Sequence, residues 1–140
     1  MDERKHLLQF TIPQLLRWRV LETGEKIALR EKDFGRWNCY SWNSYYEFVR
    51  KTGLGLLKIG FTKGEKIAII SDNIPEALFV TIGAQAVGGL SAAIYQTSLP
   101  EEISDILNYL GVSTVFCNDQ EQVDKVAEVR EKIPQVKKVI

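Results

Sequence analysis

Histidine and cysteine are nearly absent from this chain: His6 is its one histidine, and Cys39 and Cys117 are its two cysteines in 140 residues. No close Cys/His spacing exists, so a zinc site has no ligand set. No histidine stands near a serine or cysteine in a triad-like pattern, and a G-x-S-x-G elbow is missing. The two cysteines lie far apart in strand-like segments and read as buried, reduced thiols. Their separation in space is not fixed by sequence, so a disulfide stays open at this point. Charge of one sign is lacking as well. Eighteen basic residues balance eighteen acidic ones, which removes an overall electrostatic case for nucleic acid or an anionic membrane. No apolar run nears the roughly 20 residues of a membrane span. The opening "MDERKHLLQF" is charged and does not read as a secretion signal. From these absences the expected location is cytoplasmic.

What the chain does have is an ordinary globular composition, 45% hydrophobic and 26% charged, which argues against disorder and for one domain with its own core. "TIPQLLRWRVLETG" places Ile12, Leu15, Leu16 and Val20 at helical spacing, with Thr11 as cap and Gly24 as stop. Those four are the expected core face, although Trp18 between Arg17 and Arg19 would also suit a membrane surface. "KIALREKDFGRWNCYSW" reads as a hairpin. Ile27, Leu29, Trp37, Cys39 and Ser41 alternate with their neighbours, and Asp33-Phe34-Gly35 supplies the turn. An amphipathic helix over 42–59 ends at Gly60. Apolar strand-like runs then recur at 66–70, 90–95, 113–117 and 136–140, the first three each followed by a helical stretch. That alternation predicts right-handed βαβ units and a parallel sheet buried on both faces. The fold class is therefore α/β: helix and hairpin over 11–42, βα repeats over 43–140. Three cap pairs mark the expected helix starts, Asn73 with Glu76, Ser98 with Glu101, and Asn118 with Glu121. Pro75 and Pro100 fall in the first turns of their helices.

The stretch 53–58, "GLGLLK", imitates a phosphate loop. Such a loop needs a strand, then glycines, then a helix start. Here the preceding "SYYEFVRKT" is helical, with Tyr45, Tyr46, Phe48, Val49, Leu56 and Leu57 on one broad face. Gly53 and Gly55 therefore read as helix-packing residues, Gly53 admitting a second backbone. "AVGGLSAA" reads as a helix stop and tight turn, and Lys63-Gly64-Glu65-Lys66 as a solvated turn into a strand. The acidic pair Glu101-Glu102 belongs to a helix start. "NDQEQVDKVAEVREKI" is a surface helix with Val123, Val126, Ala127, Val129 or Arg130, and Ile133 on its inner side. Composition and spacing stop there, without naming an activity.

Larger segments go further. Ser41-Trp42 opening a helix, "GFTKGEKIAII" followed by Asn73 and Glu76, and "GAQAVGGLSAAIYQTSLPEEI" resemble the amino-terminal part of AMP-forming acyl-CoA synthetases, in the adenylate-forming superfamily. The resemblance runs from Ile12 to Ile140. The upstream "TIPQLLRWRV" and tryptophan-containing hairpin are most similar to the long-chain fatty acid branch. The resemblance implies ATP, magnesium and coenzyme A for the parent enzyme and a fatty acid as its substrate. It also implies that Tyr95, Gln96 and Thr97 lie near the channel for the pantetheine arm of coenzyme A. A plainer reading of those three is that Tyr95 ends a strand while Gln96 and Thr97 lead to the next cap. The family's phosphate loop, its Tyr-Gly-x-Thr-Glu, Thr-Gly-Asp and carboxy-terminal lysine segments do not occur in residues 1–140. The nearest echo, Phe34-Gly35-Arg36-Trp37, lacks the glutamate.

The expectation is thus an amino-terminal fragment of a fatty acid–CoA ligase, truncated before the phosphate loop. Alone, it should be inactive, with no catalytic, ATP or metal residues and no cofactor of its own. Its partner would be the rest of the ligase chain. The alternatives are a binding module that pairs through an exposed final strand, with possible self-association, or part of a ligase for aryl or shorter acids.

Overall fold

The structure, a computed structural model, describes residues 8–140; His6 and most of the charged opening segment lie outside the described residues. Helix α1 spans Ile12–Thr23, strands β1 Ile27–Asp33 and β2 Arg36–Ser41, and helix α2 Trp42–Lys58. Then follow β3 Lys66–Ile70, α3 Pro75–Ala86, β4 Leu90–Ile94, α4 Pro100–Leu110, β5 Thr114–Cys117, α5 Gln120–Glu128, a 3-10 turn Arg130–Lys132 and β6 Lys138–Val139. β1 and β2 form an antiparallel hairpin, and the other four strands form a parallel sheet in the order β4-β3-β5-β6. The expected α/β class and hairpin-then-βαβ order are what the chain adopts.

β3 is the centre of the sheet, and its alternating residues split the core in two. Ala68 and Ile70 join Ile103 and Leu107 of α4 and Val126 of α5 on one side. Ile67 and Ile69 join Leu56 of α2 and Val80 and Ala84 of α3 on the other. A fully buried isoleucine contributes about 1.5–3 kcal/mol, and Ile67 and Ile70 both have no exposure. A third cluster, Leu16, Tyr45, Val49, Phe79 and Ile82, joins α1 and the hairpin to α2 and α3.

Several expectations need correction. β4 is not buried on both faces: it is an edge strand here, and Leu90 is exposed. In α1 only Leu16 is fully buried, and Ile12 is exposed. Trp18 stands half-buried beside Trp42, over whose ring lies the Arg19 guanidinium, 5.5 Å from its centroid. Cys39 is exposed rather than buried, because the hairpin has left the main sheet and covers only its Tyr40 face. Both cysteines are free thiols. Lys66 is not part of a solvated turn. It opens β3 half-buried and its Nζ donates to the Leu110 carbonyl at 2.6 Å, at the end of α4.

All three cap pairs shift by one residue. The caps are Ile74, Leu99 and Asp119. Proline occupies the first helical position in α3 and α4 and holds the residue before it extended, with ψ of 157° and 154°. Glu102, not Glu101, reaches back to the Leu99 amide at 2.9 Å, and Asp119 accepts from the Gln122 amide at 3.0 Å. Glu101 pairs instead with Lys132.

The glycines of α2 part company. A Cβ on Gly53 would stand 3.2 Å from the Gly83 carbonyl of α3, so this position does admit a second backbone. Gly55 faces open space and packs against nothing.

Candidate functional site

In open parallel sheets, ligands collect outside the carboxyl ends of the strands. At that end the loops after β3 and β4 face each other across an open cleft of about 570 Å³, bordered by Ser71, Asp72, Asn73, Tyr95, Gln96 and Thr97, with Leu78 and Thr81 of α3 behind them. The three residues singled out by resemblance are thus together on its rim. Each is held differently. Tyr95 is 84% exposed, its ring free of the body of the domain, while its carbonyl accepts from the Ser98 amide at 3.0 Å and closes the turn into α4. Gln96 is the anchored one. Its Nε2 donates to the Asp72 carboxylate, and its carbonyl accepts from Lys125 Nζ at 2.6 Å. Thr97 is exposed.

Lys125 reaches this loop from α5. Its ammonium also pairs with Glu121 at 2.8 Å, and its side chain is only 20% exposed. Next to it Gln122 is buried, and the Gln122 Oε1 stands 3.4 Å from the same ammonium. Asp72, Lys125 and Gln122 were not visible in the sequence as site residues, because α5 reads there only as a surface helix. A lysine four residues after a glutamate was the available signal, and it is a common surface pattern.

Beyond β5, the Asn118 amide donates to the Ile70 carbonyl at 3.3 Å. The Asn118 Oδ1 is buried without a partner among the described residues. It sits where the sheet order reverses, between the ends of β3 and β5. Cys117, just before it, has its thiol pushed up to about 11 by burial and then by the nearby Asp119 carboxylate. A thiol so protonated at neutral pH is no nucleophile. The cleft presents hydrogen-bonding groups and one aromatic ring. Among the described residues no cluster of acidic, histidine or cysteine side chains could hold a metal ion, and no helix is long and apolar enough to cross a membrane.

A parallel sheet packed by helices, with a cleft at its carboxyl edge, defines the class, an α/β fold. The chain belongs to the AMP-binding enzyme family, whose model matches residues 16–140. It is 29% identical over 133 residues to the human long-chain-fatty-acid–CoA ligase ACSBG1, covering 95% of this chain and 18% of that protein. The bovine counterpart is 30% identical over 130 residues, covering 93% of this chain and 18% of the relative. This chain thus spans about a fifth of the length of these relatives. Among solved structures, the N-terminal domain of FACL13 from Mycobacterium tuberculosis superposes with a TM-score of 0.85 at 19% identity, over 94% of this chain and 34% of that one. The anthranilate CoA ligase AuaEII, in complex with anthranoyl-AMP, gives 0.82 at 17% identity, over 99% and 26%. At such identities the structures establish the fold alone.

Proposed function

We propose that these residues are the amino-terminal part of the AMP-binding domain of a long-chain fatty acid–CoA ligase. The parent enzyme joins a fatty acid to ATP, releasing pyrophosphate, and transfers the acyl group from AMP to the thiol of coenzyme A. The observation that carries this reading is the match to long-chain fatty acid–CoA ligases along 95% of the chain. Tyr95, Gln96 and Thr97 border the path of the pantetheine arm: a long, uncharged amide-containing chain suits a rim of amide, hydroxyl and phenol groups. The family's phosphate-loop, Tyr-Gly-x-Thr-Glu and Thr-Gly-Asp segments do not occur in residues 1–140. The cytoplasm is the proposed location. The test is fatty acid-dependent AMP release by the intact natural protein, set against the 140-residue chain alone. Activity in the first and none in the second is expected; turnover without a long-chain fatty acid, or turnover of aryl or short acids only, would refute the substrate assignment.

β6 supports a second role. Among the described residues it pairs with β5 on one side and with no strand on the other. Such an edge recruits a further strand, from the rest of the ligase or from a second copy. Sedimentation of the isolated chain over a wide concentration range tests the second case, and a constant monomer mass would sink it.

A further inference from the structure

The tip of the hairpin carries a feature that the folding of this chain does not explain. Phe34 and Gly35 form its two-residue turn with φ of 43° and 80°. Glycine, asparagine or aspartate fits the first of these positions, whereas a bulky ring there is strained. Packing does not compensate, because Phe34 is 99% exposed. Trp37, 64% exposed, follows it on β2.

The strand register sorts the surrounding charges. Lys32 lies opposite Trp37 and Arg30 opposite Cys39, so these four share one face. Glu31 and Asp33 fall on the other face, where Glu31 accepts from the Tyr40 hydroxyl at 3.5 Å. Arg36 lies opposite Asp33 and so shares that second face. Among the described residues none of Arg30, Lys32 and Arg36 joins an ion pair. Arg30, Lys32 and Trp37 also border an open cleft along residues 72–78, but Phe34 lies outside it.

We propose that this hairpin tip docks on an anionic lipid surface. Phe34 and Trp37 enter the boundary between headgroups and acyl chains, where aromatic rings are favoured, and Arg30 and Lys32, on the Trp37 face, meet the lipid phosphates. The zero net charge of the chain does not oppose this, since charges act within about a Debye length, 8–10 Å at ordinary salt. A lipid surface also accounts for a strained phenylalanine better than a soluble partner recognised by polar contacts would, because the side chain is apolar and projects beyond every neighbour. The inference is independent of the ligase assignment.

The experiment is co-sedimentation of the intact natural protein with phosphatidylcholine vesicles, with and without phosphatidylserine. The expected result is binding to the phosphatidylserine vesicles that weakens as salt is raised. Phe34→Gly, which relieves the backbone, should lower partitioning about tenfold or more while leaving Tm unchanged or higher. Arg30→Glu with Lys32→Glu should cost about tenfold on phosphatidylserine vesicles and little on neutral ones. The proposal is overturned if the intact protein stays in the supernatant, or if Phe34→Gly binds as well as the parent. It is equally overturned if Phe34→Gly lowers Tm by several degrees, since Phe34 would then be packed against another part of a longer chain.

Discussion

The ammonium of Lys125 and the main-chain carbonyl of Gln96 meet at 2.6 Å across 29 residues of sequence. With the Gln96 amide on Asp72, this bond ties together the loop after β3, the loop after β4 and helix α5. The rim that carries Tyr95 and Thr97 is fixed through its middle residue. Lys125→Met keeps the apolar stem and removes the donor. A bond to a charged group contributes about 1.5–3 kcal/mol, reduced here by the partly open setting to about 1 kcal/mol. The variant should show that loss in urea unfolding and faster hydrogen exchange at Ser98 and neighbouring amides. Unchanged exchange there would mean the tether does not hold the loop.

Gly53 and Gly55 are two residues apart on one helix and should respond oppositely to substitution. Gly55→Ala faces open space, so it should stabilise by about 1 kcal/mol through helix propensity. Gly53→Val would push a branched side chain against the Gly83 carbonyl and Val87, and overpacking of that kind costs about 1–3 kcal/mol or more. Thermal unfolding of the two variants side by side tests the pair. Equal shifts would mean the helices can part freely at Gly53.

Lys66→Met probes the joint between β3 and α4. The Leu110 carbonyl lies in the last turn of α4, where helix carbonyls lack partners and a cation is favoured. Its loss should cost about 1–2 kcal/mol, seen as a lower urea midpoint with an unchanged slope. Lys66→Arg should recover part of it.

The cysteines predict two kinetic classes and an alkaline limit. Cys39 is exposed and should react quickly with Ellman's reagent at pH 8, whereas Cys117 should react only on unfolding. The folded Cys117 thiol titrates at about 11, above an unfolded thiol at about 8.5. Between those values the unfolded chain has lost the proton and the folded chain keeps it, so stability falls as pH rises. Below about pH 8 this contribution is complete. Cys117→Val should flatten the decline over that window, and an equally steep loss in the variant would place its cause elsewhere.

Much of the scaffold was legible because local chemistry and global fold agree. Gly35 and its neighbours announce the turn, the apolar runs of β3 and β5 announce a buried sheet, and the wrong order of elements around Gly53 disposes of a phosphate loop. The side-chain pairs put the helix starts one residue early, and at two of the three it is Pro75 and Pro100 that decide the backbone. Cys39 departs from its expected burial for another reason: alternation tells which residues share a face, but not which face is covered. Within the cleft, Tyr95, Gln96 and Thr97 were reached only through resemblance. The Lys125 bond was invisible because no local rule links a helix lysine to a carbonyl in a loop before the preceding helix.

The order of the sheet has a consequence for synthesis. β3 is made first among its strands and lies inside; β4 joins one side of it, β5 the other, and β6 is added beyond β5. Each strand after β3 finds a hydrogen-bonding neighbour already translated, so these four strands can assemble in step with elongation.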